Sequence, residues 1–226
     1  FFAPLSGTLL WEEENAEKQG FNVSAYVENE GMQDVSVRVR MSRSNMNGKE
    51  WIHYDDSGRA FSGKVLMLGT HDFSRFVNRH GAENVYAEAE FTYSDGTKRY
   101  ETQQFVPFKH LNLENPVIHT EVTEEADCFV VCLNAETYVP FVFMDFKDRD
   151  GVFEDNAFHL SAGRPVEIRI EKTDIKGEPF ADASELKAAL TLQYLQKTYM
   201  EDCMEEEEYS NNAQKGDEEQ DVDNIS

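Results

Sequence analysis

Hydrophobic and polar residues alternate along most of the first half of the chain. Within residues 35–41 every second residue is Val or Met, and the residues between them are Ser or Arg. A period of two predicts a β-strand that buries one face. The same kind of pattern predicts further strands at 9–11, 21–28, 51–54, 64–68, 85–93 and 98–106.

Turns and one short helix interrupt this alternation. Asn29-Glu30-Gly31 and Ser94-Asp95-Gly96 have the residue types of turns and lie between predicted strands. In residues 72–78, Phe73, Phe76 and Val77 have helical spacing, which predicts a short helix in the connection before the strand at 85–93.

The second half repeats the strand pattern up to one ambiguous segment. Strands are predicted at 117–121, 128–134, 139–146, 152–160 and 166–171. Asp150-Gly151 is a hairpin signal, in which the glycine would adopt a positive φ. Residues 184–200 alternate as a strand would, but Leu186, Ala189 and Leu190 also suit one face of a helix, so the residues leave both structures open.

Two prolines divide this series of strands. Pro107 and Pro116 bracket a segment that suits the end of one sheet and the start of another, because proline lacks an N–H donor. Seven short strands followed by six are typical of two β-sandwiches. We therefore predict an all-β fold with two tandem immunoglobulin-like (Ig-like) sandwiches, residues 1–112 and 113–200, followed by a disordered acidic tail at 201–226.

Of the net charge of −23, the tail carries −10, from eleven acidic residues and one Lys, and residues 1–200 carry the other −13. The acidic balance disfavours binding to nucleic acids or anionic membranes, since both require clustered Lys and Arg. No apolar run is long enough to span a bilayer. Cys128 and Cys132 lie about 13 Å apart in one predicted strand, too far to bridge, and are predicted to be small core residues.

A distinctive motif follows the predicted hairpin. It combines Gly151, Phe153, the pair Asp155-Asn156, Phe158 and Leu160. Phe153, Phe158 and Leu160 suit a core, and Asp155-Asn156 can bond to its own backbone at a bend or bulge. The motif resembles the closing Ig-like domain of β-mannosidases in glycoside hydrolase family 2.

Two further segments carry the resemblance. The connection between the predicted domains resembles the one that joins the C-terminal sandwiches of β-mannosidases, through Pro107, Lys109, Leu111, Leu113, Pro116 and Ile118. Phe1-Phe2-Ala3-Pro4 resembles the exit from the catalytic barrel of these enzymes and leads us to expect a longer or processed polypeptide. The resemblance covers about residues 1–200 and favours a strand at 184–200, which we adopt.

The resemblance implies a non-catalytic C-terminal part of an enzyme that hydrolyses terminal β-D-mannose. The two catalytic Glu residues would belong to a (β/α)₈ barrel of the same polypeptide, which would also be the main partner. No cofactor or metal is expected. An exposed apolar patch is expected near the start of the first sandwich. The cellular compartment stays open, with a bacterial periplasmic or extracellular location and a cytoplasmic one as alternatives.

Three other hypotheses come from the residues themselves. Asn29-Glu30 matches the Asn-Glu order of the family's acid/base residue, although a turn explains it better. Asp148, Asp150 and Asp155 could hold a cation in a nonstandard loop, against the simpler interpretation of a solvated turn. Trp51 and Tyr54 are candidate sugar contacts, as an independent carbohydrate-binding or cell-surface adhesion module would require.

Overall fold

A computed structural model describes residues 4–11 and 20–199 of the chain. It divides into two compact units, Phe1–Asn112 and Leu113–Ser226. The predicted acidic tail at 201–226 and most of the Phe1-Phe2-Ala3-Pro4 segment lie outside the described residues. None of the helices within 4–11 and 20–199 is long and apolar enough to cross a membrane.

The first unit contains seven strands and one short α-helix within its described part. In chain order they are β1 (Leu5–Trp11), β2 (Asn22–Asn29), β3 (Val35–Asn45), β4 (Glu50–Ala60), β5 (Lys64–Asp72), α1 (Ser74–His80), β6 (Val85–Tyr93) and β7 (Lys98–Gln104). All strand pairs are antiparallel, in one sheet of order β1-β2-β5 and one of order β4-β3-β6-β7.

The core of the first unit follows the alternation of the sequence. Val37, Val39 and Met41 on β3 are almost completely buried, whereas the residues between them are exposed. Helix α1 buries Phe76 and Val77 in the same core. The predicted strands and the short helix are therefore confirmed, and most strands extend a few residues beyond their predicted ends.

The second unit has six strands in its described part. They are β8 (Ile118–Glu124), β9 (Cys128–Ala135), β10 (Val139–Phe146), β11 (Phe158–Leu160), β12 (Val166–Glu171) and β13 (Leu190–Gln193), with helix α2 (Ala183–Ala189) before β13. The sheets have the orders β8-β9-β12 and β11-β10-β13. Phe129, Val131 and Leu133 of β9 and Met144 of β10 are buried in the core.

The two units share one strand order. The sheet β1-β2-β5 corresponds to β8-β9-β12, and β4-β3-β6 corresponds to β11-β10-β13. A helix precedes the sixth strand in each unit, α1 in the first and α2 in the second. This arrangement of two antiparallel sheets confirms the predicted all-β, Ig-like fold.

The predicted strand at 184–200 is wrong over most of its length. Asp182 caps a helix, because its carboxylate accepts hydrogen bonds from the Ser184 and Glu185 amides at 2.8 and 2.9 Å. Glu185 accepts in return from the Ala181 amide at 2.7 Å. Only residues 190–193 form a strand, and residues 195–199 are again helical. Asp182 and Glu185 thus stabilise the start of a helix, and this effect outweighs the alternating pattern that suggested a strand.

The predicted strand at 152–160 is also too long. Its first half does not pair with β10. The Val152 amide donates to the Asp174 carbonyl, and the Glu154 amide donates to the Arg169 carbonyl of β12. Only Phe158–Leu160 pairs with β10. Gly151 is not among the residues with positive φ, so the expected hairpin turn at Asp150-Gly151 does not form.

Candidate functional site

The connecting motif forms a compact turn. Pro107 precedes a single 3₁₀ turn at Phe108–His110, and its carbonyl accepts a hydrogen bond from the His110 amide at 2.8 Å. Lys109 is exposed, Leu111 is 9% exposed, and Pro116 is half-buried. Within this motif, Leu111 therefore contributes apolar burial and Pro107 contributes the turn.

Gly151 is required by close packing. A Cβ atom at this position would lie 2.5 Å from Cε2 of Phe146, whose ring is buried. The Phe146 ring also packs against Phe153, with ring centroids 5.2 Å apart. Phe158 packs against the same core and Leu160 is fully buried in it. These four motif residues therefore hold the unit together from one side.

The side chain of Asn156 makes the two hydrogen bonds to Met144 that the backbone of a neighbouring strand would otherwise make. Its side-chain oxygen accepts from the Met144 amide at 2.7 Å, and its side-chain nitrogen donates to the Met144 carbonyl at 2.9 Å. The neighbouring Asp155 carboxylate accepts from the Asn156 amide at 2.8 Å. The amide side chain thus satisfies both backbone groups of a core strand where β11 has not yet begun.

The pairing of β10 with β11 contains a bulge. The register shifts between Val139 and Val142, and Phe141 within the bulge has a φ of 56°. Nδ1 of His159 accepts a hydrogen bond from the Phe141 amide at 3.2 Å. Burial lowers the pKa of His159 from 6.5 to about 4, so the ring stays neutral near pH 7 and retains its acceptor. Sequence patterns did not reveal this role.

Trp51 and Tyr54 lie on the same face of β4, because a bulge opposite Ser42 and Ser44 changes the alternation between them. The Trp51 ring packs edge-on against Phe76 at 5.0 Å between centroids. The Tyr54 ring stacks on His71 at 4.0 Å and 13° between planes. Both candidate sugar contacts are half-buried and packed against the core of the first unit.

Charged groups surround Tyr54. Arg43 donates to the Tyr54 hydroxyl and, at 2.7 Å, to the Asp72 carbonyl. His71 is hydrogen-bonded to Asp56 at 2.6 Å. Hydrogen bonds from Ser74 lower the pKa of Asp72, and the nearby Arg43 adds to this effect. These hydrogen bonds connect β3, β4 and β5, and the polar groups of the network are one another's partners.

Asn29 and Glu30 occupy a bend rather than a cleft. Asn29 is 1% exposed, and its side chain donates to the carbonyls of Gln33 and Ala60 and accepts from the Gly31 amide. Glu30 is exposed. Asn29 therefore shapes the loop, and the arrangement favours the turn interpretation over a catalytic one.

The three loop aspartates do not converge. Asp148 pairs with Arg149 at 3.0 Å, and this hydrogen bond lowers the pKa of Asp148. Asp155 accepts from the adjacent backbone. Within residues 4–11 and 20–199, no three His, Cys, Asp or Glu residues are grouped to hold a metal ion.

The two cysteines of β9 alternate with its inward-facing residues. The prediction that they are core residues is confirmed for Cys128, which is 1% exposed, whereas Cys132 is only half-buried. Phe129, Val131 and Leu133 point inward and the cysteines occupy the alternate positions. Cys128 contacts Arg169 at 2.9 Å and Glu125 at 3.4 Å. Burial raises the pKa of both thiols, and adjacent carboxylates add to the rise. Both cysteines are free, and the alternation alone predicted their shared face.

The strand order and the filled cores define a pair of Ig-like β-sandwiches. Residues 113–198 match the family model Ig_mannosidase, an Ig-fold domain. This match and the fold support the resemblance of residues 113–198 to the C-terminal Ig-like domain of β-mannosidases.

Two solved structures have similar folds. A β-D-mannosidase from Dictyoglomus thermophilum matches with a TM-score of 0.64 and 16% identity, over 83% of this chain and 21% of its own. The exo-chitosanase CsxA from Amycolatopsis orientalis matches with a TM-score of 0.51 and 13% identity, over 84% of this chain and 25% of its own. The chain thus spans only a minor part of either enzyme. No curated protein matches it by sequence.

Proposed function

We propose that the chain is the non-catalytic C-terminal region of a glycoside hydrolase of family 2. Residues 1–112 and 113–200 would be its two structural domains and residues 201–226 an acidic extension. The observation that carries the proposal is the match of residues 113–198 to the mannosidase Ig-fold family. The similar fold over 83% of the chain extends the proposal to the first unit.

The contacts of the candidate residues support a structural role. Asn156, Gly151 and His159 each stabilise the backbone or packing of β10. Trp51 and Tyr54 pack within the first unit. A retaining glycosidase needs two carboxyl groups about 5–5.5 Å apart beside the scissile bond. We assign that pair to a (β/α)₈ barrel of the same polypeptide, which the two sandwiches would support.

We propose release of terminal β-D-mannose from the non-reducing end as the activity of that longer polypeptide. The specificity for mannose rests on the family model and on the mannosidase among the similar structures. The exo-chitosanase has the same fold in this region. Sugar specificity would therefore be set by the barrel rather than by the sandwiches.

The test compares the chain with its full-length polypeptide on an aryl β-mannoside. The full-length protein should hydrolyse it, and replacement of either barrel Glu by Gln should abolish hydrolysis. The purified 226-residue chain should give no turnover. Turnover by the purified chain, or a reading frame upstream of Phe1 that encodes no barrel, would overturn the proposal.

The alternative is an independent carbohydrate-binding or adhesion module. In this alternative, Trp51 and Tyr54 contact the sugar. The isolated chain should then bind glycans on an array, and the Tyr54→Ala variant should not. The accessory role requires no such binding. The two functions therefore differ in one measurement on the isolated chain.

A further inference from the structure

A groove in the second unit is lined by two segments of the chain, residues 145–150 and 176–178. We call it the charged groove, since seven of its nine lining residues are Asp, Glu, Lys or Arg. Its volume is about 740 Å³, and cavities of about 300–1,000 Å³ are typical of small-molecule sites. Gly177, with a φ of 102°, turns the second segment. The groove is therefore large enough to hold a small ligand.

Hydrogen bonds between the two segments hold the walls of the charged groove together. The Lys176 amide donates to the Asp150 carbonyl at 2.8 Å, and the Arg149 guanidinium donates to the Glu178 carbonyl at 2.6 Å. The guanidinium also forms two hydrogen bonds to the Asp148 carboxylate, at 3.1 and 3.0 Å. Arg149 thus builds the groove, and its side chain is only 12% exposed. Because these bonds fix the spacing of the walls, binding of a ligand requires little further ordering of the chain.

Three other charged side chains of the groove remain for a ligand. Asp150, Lys176 and Glu178 bond across the groove through backbone groups. Within residues 4–11 and 20–199, no hydrogen bond or ion pair involves their side chains, and all three residues are exposed. The groove therefore offers two carboxylates as hydrogen-bond acceptors and one ammonium group as a donor.

The charges that line the groove nearly cancel. Four acidic and three basic side chains give a net charge of −1. An anion would meet the carboxylates and a cation would meet the ammonium and guanidinium groups, so neither is strongly favoured. A hydroxyl group can both donate to a carboxylate and accept from an ammonium group. Hydrogen bonds to ionised groups are also stronger than those between neutral groups. The groove therefore suits a neutral ligand with several hydroxyl groups.

We infer that the charged groove binds a neutral oligosaccharide, whose hydroxyl groups bond to Asp150, Lys176 and Glu178. The choice of a saccharide among hydroxyl-bearing ligands rests on the proposed function, in which the longer polypeptide acts on sugar chains. Both walls are short surface segments, so the groove can take part of a longer sugar chain. A sugar chain held there has a raised local concentration for the catalytic barrel of the same polypeptide. The second sandwich thus contributes to substrate binding as well as to structure.

Nuclear magnetic resonance of the 226-residue chain tests the inference. The isotope-labelled chain is titrated with a β-linked mannotetraose, and the amide signals of residues 147–150 and 176–178 should shift saturably at millimolar probe concentrations. Lys176→Ala and Asp150→Ala should each weaken binding at least about fivefold, because each removes a charge-assisted hydrogen bond. Lys64→Ala removes an exposed lysine of the first unit and is the matched control, with no change expected.

Three results would overturn the inference. The first is the lack of saturable shifts in the charged groove. The second is loss of binding in Tyr54→Ala but not in Lys176→Ala, which would assign the binding to the first unit. The third is an equal response to inorganic phosphate at the same ionic strength, which would assign the groove to anions. Failure of binding in the groove leaves the accessory function intact, since hydrolysis of an aryl β-mannoside by the full-length polypeptide tests that function separately.

Discussion

The side-chain amide of Asn156 pairs with both backbone groups of Met144, at 2.7 Å to its nitrogen and 2.9 Å to its oxygen. Met144 is fully buried in the core of the second unit. The amide therefore acts as a strand residue at a position where the neighbouring chain bends away. This pair explains why the motif needs Asn at that position.

Asn156→Ala should destabilise the second unit by about 1–3 kcal/mol, because both backbone groups of Met144 lose their partner. Urea unfolding measures the loss, and exchange of the Met144 amide proton should accelerate. The adjacent Asp155→Ala is the control, since Asp155 is exposed and its carboxylate accepts from the Asn156 amide. Equal effects of the two variants would contradict the assigned role.

Gly151→Ala should cost roughly 1–3 kcal/mol through overpacking, because the added methyl group would lie 2.5 Å from the buried Phe146 ring. Thermal unfolding detects the change. The double variant with Phe146→Leu should lose less than the sum of the two single variants, since the smaller side chain leaves room. Strict additivity would show that the ring does not set the requirement for glycine.

His159 should make the second unit less stable in acid. Its folded pKa of about 4 lies below the unfolded value of 6.5, so the unfolded chain binds the proton first as pH falls. The stability present above pH 6.5 is lost between 6.5 and 4, by roughly 1–2 kcal/mol at pH 5. Chemical unfolding at a series of pH values measures this loss.

His159→Asn is the matched control for that measurement. Its side-chain oxygen can replace Nδ1 as the acceptor for the Phe141 amide without titrating in this range. The variant should lack the His159 contribution to the pH dependence while remaining folded at pH 7. An unchanged pH profile would mean that another group is responsible.

Arg149→Lys should destabilise the second unit. The guanidinium lies 3.9 Å from the Phe180 ring centroid, donates to the Glu178 carbonyl at 2.6 Å and pairs with Asp148. A lysine ammonium group cannot stack on the Phe180 ring and at the same time form the paired hydrogen bonds that the planar guanidinium makes to Asp148. Arg59→Lys is the exposed counterpart, beside Phe61 and Asp34, and should change the stability by less than about 0.5 kcal/mol. Comparable losses of stability in Arg149→Lys and Arg59→Lys would contradict the conclusion that the burial of Arg149 makes its contacts important.

Local patterns predicted the strands well for a physical reason. Successive side chains of an extended backbone point to opposite faces, so burial on one face must leave a period of two in the sequence. The strands at 85–93, 139–146 and 166–171 were predicted with the observed bounds. The helix at 183–189 was predicted as a strand because the family resemblance favoured a strand there, whereas the capping hydrogen bonds of Asp182 and Glu185 stabilise a helix.

The amino-acid order by itself determined the all-β class, the inward faces of the strands and the motif that resembles β-mannosidases. Only the tertiary structure decided which groups meet across long separations: Asn156 with Met144, Gly151 with Phe146, and Met67 with Tyr26 on an exposed sheet. Alternation is a property of one strand, whereas register, bulges and close contacts depend on how distant segments pair. That pairing minimises the free energy of the whole unit, which no single segment specifies.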